Sequence, residues 1–153
     1  MTPASPAARA GRNPVTRWVT DRRTGSKAPI TAGGPEPEAL STTFAVTVHD
    51  RGTDAVVEVT GEIDIYTAPA LRGALLDLVA SGRSRIVVDI LGVSFLDSSA
   101  LGVLVGGYKR VSTMGGYLRV ACPAGPVAEA FRITGLDRVL PMYTSVQNAT
   151  AQG

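Results

Sequence analysis

Apolar residues fall into short alternating runs and longer helical stripes from about residue 42 onward, and this rhythm divides the chain. Phe44, Val46 and Val48 alternate with smaller or polar residues, the pattern of a half-buried strand. The run Asp50-Arg-Gly-Thr-Asp54 reads as a turn, and AVVEVT over 55–60 as a second strand, so the two form a hairpin. A polar loop, Gly61-Glu-Ile-Asp64, comes next. Thr67 reads as an N-cap, with Pro69 in the first helical turn. Ala68, Leu71, Leu75, Leu78 and Val79 then recur at helical spacing until Gly82. Residues 86–90 (IVVDI) form a short apolar strand, and the helix preceding it implies a parallel crossover.

A second helix begins near Ser98. Leu101, Leu104, Tyr108 and Val111 share one face, while Gly102 and Gly106 lie four apart on another. Glycine inside a helix is unfavourable by about 1 kcal/mol relative to alanine, so these two and Gly107 require a reason. Close packing on the sheet is one; a surface kept low for a partner is the other. Gly115-Gly116 is a turn and YLRVA over 117–121 a strand. Pro126 opens a helix carrying Val127, Ala130 and Phe131, and Gly135 closes it. Val139-Leu140 reads as a last short strand and residues 145–152 as a final helix. The sum is an α/β domain, with a mixed sheet of four to five strands packed against about four helices.

Composition sharpens the boundaries. Residues 1–40 contain six prolines, few large apolar residues and no sustained period, which predicts a disordered tail before a single domain over 41–153. The sequence pI of about 9.0 would suggest nucleic acid as a partner. Its basic excess, however, sits in the tail, with six basic residues against three acids. The remainder has nine basic and ten acidic residues, which weakens the nucleic-acid reading. No apolar run has the length of a bilayer span, and the N-terminal stretch has no secretory h-region, so a cytoplasmic, membrane-free protein is expected. Cys122 is the single cysteine and can form neither an internal disulfide nor a multi-cysteine metal site.

Catalytic apparatus is sparse. A hydrolytic triad would have to use His49, the one histidine, and no G-x-S-x-G surrounds Ser98 or Ser99. Asp64 and Asp97 could pair as acids or bind a metal, but no third ligand is identifiable from spacing. No phosphate-binding loop is present. Neither a catalytic residue nor a cofactor is expected. Ser98, at the junction of strand and helix, has two readings: either Asp97 or Ser98 is simply the helix cap, or Ser98 is a hydroxyl that a partner modifies.

The run Phe95-Leu-Asp-Ser-Ser-Ala-Leu-Gly-Val-Leu104, continued by Val105-Gly-Gly-Tyr-Lys109, resembles the signature of bacterial anti-sigma factor antagonists, the STAS domain. Gly61-Glu-Ile-Asp64 with Thr67-Ala68, then Gly115-Gly116, and Phe131 through Gly135-Leu136 match further landmarks in order. The resemblance covers the chain from about Thr42 onward. It implies a non-enzymatic partner switch: the antagonist binds an anti-sigma factor that is also a serine kinase, freeing a sigma factor. Phosphorylation of the serine after the aspartate, here Ser98, ends binding, and a serine phosphatase restores it. The resemblance implies a partner-binding set of Asp64, Asp97, Ser99, Gly102, Val105 and Gly106. The alternative it leaves is a non-switching STAS scaffold for another signalling protein, with Ser98 only a helix cap. One departure is Ala100, where family members usually carry glycine.

Overall fold

The computed structural model describes residues 15–20, 27–29 and 44–151. Strand β1 (Val15–Thr20) and β2 (Lys27–Pro29) precede β3 (Phe44–Arg51) and β4 (Asp54–Ile63), which form the predicted hairpin. Then come α1 (Ala68–Ala80), β5 (Arg85–Leu96), α2 (Ser98–Thr113), β6 (Tyr117–Ala121), α3 (Pro126–Thr134), a 3-10 turn (Leu136–Arg138), β7 (Met142–Tyr143) and α4 (Val146–Ala151). The sheet order is β2-β1-β3-β4-β5-β6-β7. Pairing is antiparallel from β2 to β4 and parallel from β4 to β7, so the sheet is mixed, as expected.

Three expectations need correction. Residues 15–20 and 27–29 lie within the stretch read as tail, yet they are strands, β1 pairing with β3 from Val15 against His49 to Thr20 against Phe44. The alternation of VTRWVT is too short to stand out in a proline-rich surround, and the open edge of β3 supplies what it lacks. The rest of the tail reading lies outside the described residues. Second, β7 is at Met142–Tyr143 rather than at 139–140. Leu140 is apolar because it plugs the core after the 3-10 turn, fully buried and bonded through its N–H to the Leu136 carbonyl, not because it is in a strand. Third, Gly61-Glu-Ile is strand rather than loop: β4 and β5 stay paired as far as Ile63 against Leu96.

Strand β5 continues past residue 90 because its register shifts twice against β4. Each shift adds a residue to β5, so its positions facing the main core change from the alternating Ile86, Val88 and Ile90 to the three-residue spacing of Ile90, Val93 and Leu96. The period of two fails there, although the strand does not.

The main core lies between one sheet face and α1, α2 and α3. Phe44, Val46, Val57, Val59, Ile86, Val88, Leu118 and Val120 meet Leu71, Leu75, Leu104, Val111, Val127 and Phe131. Each such side chain contributes roughly 1.5–3 kcal/mol on burial. On the opposite face, Val56 and Val87 pack with Ala149 of α4, beside Tyr117, Tyr143 and Val146. Gly116 is required by close approach, since an added Cβ would lie 1.9 Å from the Ser84 carbonyl oxygen.

Candidate functional site

Parallel pairing brings the two acidic landmarks together. β4 and β5 end in register, and the Asp97 N–H donates to the Ile63 carbonyl at 3.1 Å. Asp64 and Asp97, the next residues on each strand, therefore start neighbouring loops at the same edge of the sheet. Both of the helices reached through those loops, α1 and α2, begin there.

The two aspartates organise these starts differently. One Asp64 carboxylate oxygen accepts from the N–H groups of Tyr66 at 2.9 Å and Thr67 at 3.1 Å. Thr67 occupies the predicted cap position, but its side chain makes no capping bond. Its buried hydroxyl instead accepts from the Asp64 N–H at 2.8 Å and donates to the Glu62 carbonyl at 2.9 Å, closing the loop. Asp97 is extended backbone, and its carboxylate accepts from the N–H groups of Ser99 at 2.8 Å and Ala100 at 3.3 Å. That is a regular N-cap. Of the two candidate caps, Asp97 and Ser98, it is Asp97 that caps α2.

Ser98 is the first helical residue and is exposed. Its hydroxyl makes no hydrogen bond among the described residues. The free side chain stands where orphan backbone N–H groups and the helix dipole favour negative charge. Ala100 points the other way: it is fully buried in the main core, so its methyl is absent from the face that carries Ser98.

The other expected residues trace the turns of α2. Ser98, Gly102 and Val105 lie on one outward stripe with Lys109, while Ser99, Gly102 and Gly106 line a groove against α1. The glycines divide by cause. Gly107 is buried, and a Cβ there would come within 3.0 Å of Leu118 Cδ1 and 3.1 Å of Leu75 Cδ1, so packing accounts for it. A Cβ on Gly102 or Gly106 would meet nothing within 4 Å, so packing accounts for neither.

Sequence reasoning missed three large apolar side chains at this edge. Ile65, Tyr66 and Phe95 are 62, 52 and 50% exposed. Ile65 and Tyr66 directly succeed Asp64, and Phe95 sits opposite Glu62 in the β4–β5 register. Their signal was apolar character out of step with any period, in the loop after Asp64 and in the shifted part of β5.

The remaining candidates are occupied elsewhere. His49 Nε2 lies 2.9 Å from Glu58 Oε1, on the strands, and among the described residues no serine or cysteine bonds to it. Cys122 is buried, which pushes its thiol up to about 11 and leaves little thiolate at neutral pH. Among the described residues, no group of three or more His, Cys, Asp and Glu side chains could hold a metal ion, so nothing completes the Asp64–Asp97 pair. Nor, among the same residues, is any helix long and apolar enough to cross a membrane.

The chain is similar to known proteins in sequence and in fold. A family model of the STAS domain matches residues 45–149. The anti-sigma-B factor antagonist of Bacillus subtilis is 37% identical over 95 residues, covering 62% of this chain and 86% of that protein. An anti-sigma F factor antagonist of Paenibacillus polymyxa is 30% identical over 105 residues, 68% of this chain and 89% of the relative. The crystal structure of an anti-sigma factor antagonist from Mycobacterium paratuberculosis superposes with a TM-score of 0.67 at 32% identity, covering 71% of this chain and 92% of that one.

Proposed function

The chain belongs to the STAS domain family, and on that premise we propose that it is an anti-sigma factor antagonist switched by phosphorylation of Ser98. The observation that carries the reading is the exposed hydroxyl of Ser98, unbonded among the described residues, on a helix start that Asp97 already caps. In this reading the protein is a substrate and binding module, not an enzyme, and acts in the cytoplasm. Its partner is an anti-sigma factor with serine-kinase activity, which on binding the antagonist gives up a sigma factor.

The chemistry is set by the site. The kinase removes the Ser98 hydroxyl proton as the oxygen attacks the γ-phosphorus of ATP; a serine phosphoester forms, the β–γ bridge breaks and ADP leaves. The product adds about −1.5 to −2 charge and three acceptor oxygens. The helix N-terminus accommodates that charge within the protein. Across the interface it adds bulk and, beside Asp97 and Asp64, a dense negative edge. Binding is lost while the fold is retained. A serine phosphatase hydrolyses the ester and resets the switch.

Titration calorimetry of the cognate anti-sigma factor against wild type, Ser98→Ala and Ser98→Glu tests this. Ser98→Ala is expected to bind within about threefold of wild type, and Ser98→Glu at least about tenfold more weakly. Equal affinity for Ser98→Glu and wild type would remove the charge block.

A further inference from the structure

A groove of about 300 Å³ runs lengthwise between α1 and α2, from Ser99, next to Ser98, to Arg110. Leu75, Leu76, Val79 and Val103 make its apolar surface, and Gly102 and Gly106 keep one wall low. Arg72 and Arg110 also line it, and among the described residues no acidic side chain does. Neither guanidinium has an ion pair or side-chain hydrogen bond among the described residues. Both helices start at the same sheet edge. At 1.5 Å per residue, Arg72 sits about 6 Å along α1 and Arg110 about 18 Å along α2. The two positions are therefore offset by about 12 Å along the groove, close to two turns of an α-helix.

We propose that this groove seats an amphipathic helix of the partner, with acidic residues two turns apart and small apolar residues between them. The acids meet Arg72 and Arg110, and the apolar residues rest on the glycine wall, where the absence of Cβ atoms permits a close helix–helix approach. Charge complementarity selects this occupant: an apolar strip with a cation towards each end, and no anion among the described residues, fits an acid–apolar–acid face and rejects a basic one. The inference rests on the proposed function, in that the helix belongs to the partner that reads Ser98. It extends the contact surface from Ser98 along both helices as far as Arg110, and that extension contributes to basal affinity.

The test uses the full chain, labelled with ¹⁵N, and a probe that needs no partner protein. The probe is an N-acetylated helical peptide of roughly 18 residues built from Ala, Leu and Gln, with two Glu seven apart. A second peptide carries Lys at the same two places. The Glu peptide is expected to shift the amide resonances of Gly102, Gly106 and Arg110 saturably, and the Lys peptide to bind at least about tenfold more weakly. Gly106→Leu, which fills the groove where a Cβ meets nothing, and the double variant Arg72→Glu/Arg110→Glu should each weaken the Glu peptide about tenfold or more. Equal binding of the two peptides, or shifts confined to other surfaces, would overturn the proposal. So would a concentration-dependent dimer abolished by Gly106→Leu, which would assign the groove to a second copy of this chain. A silent groove together with partner binding that still depends on Ser98 removes this inference alone. Peptide binding with a partner indifferent to Ser98→Glu removes the switch alone.

Discussion

The β4–β5 pair has an aspartate at each end, and the two are put to opposite use. At the start of β4, Asp54 is buried and receives Arg85 Nε at 3.0 Å and the Tyr117 hydroxyl at 2.6 Å. The Arg85 and Arg119 guanidiniums lie 4.6 and 3.7 Å from the Tyr117 ring centroid, and Arg119 also donates to the Ala149 carbonyl. Side chains from three strands close that end. At the other end Asp97 spends its carboxylate on backbone N–H groups, and the adjacent hydroxyl is exposed and makes no hydrogen bond among the described residues. Both aspartates fix local geometry. Only the second does so without using up the polar group next to it, and that is what makes an edge available to a partner.

If the closed end is structural, its removal should affect stability and leave recognition alone. Asp54→Ala leaves Arg85 and the Tyr117 hydroxyl without their acceptor and is expected to lower unfolding free energy by about 2–3 kcal/mol in denaturant titration. Anti-sigma binding of the folded fraction should not change. Tyr117→Phe removes one of the two partners and should cost about 1.5–2 kcal/mol at neutral pH. It also changes the alkaline limb. Burial and the bond to Asp54 hold the Tyr117 hydroxyl above its ordinary range. As pH rises through ordinary tyrosine ionisation the unfolded chain gives up a proton that the native state keeps, so wild-type stability falls with pH there. Tyr117→Phe should flatten that fall. A binding defect in either variant at full occupancy of the folded state would break the division between the two ends.

At the open end the order of effects reverses. Asp97→Ala should cost only about 1 kcal/mol of stability, the usual value of a lost cap, yet weaken the partner complex because the first turn carrying Ser98 is no longer held. Asp97→Asn, which caps as well, should retain stability to within about 0.5 kcal/mol. Parallel calorimetry and thermal unfolding separate the two quantities.

The hydrophobic period located the hairpin, α1, α2, β6 and α3 because these elements bury one regular face. It failed where tertiary pairing overrides local pattern. The two register shifts of β5 turn Ile90, Val93 and Leu96 inward at a spacing no strand template contains. Leu140 looked like strand because core plugs and strand residues share a composition. At the site, Asp64, Asp97 and Ser98 were legible from their succession along the chain, since parallel strands ending in register necessarily deliver their next residues to one edge. The groove cations were not legible: Arg72 and Arg110 are 38 residues apart, and only the packing of α1 on α2 makes them one feature. The allocation of glycines was equally hidden, because Gly106 and Gly107 are adjacent in sequence and differ only in what a Cβ would meet.

The most direct measurement is site mapping after incubation with the cognate anti-sigma kinase and ATP. Intact and fragment mass spectra are recorded for wild type and for Ser98→Ala. A single phosphate on Ser98 is expected in wild type and none in the variant. Equal labelling of the two, or a phosphate mapped to Ser99, would contradict the switch.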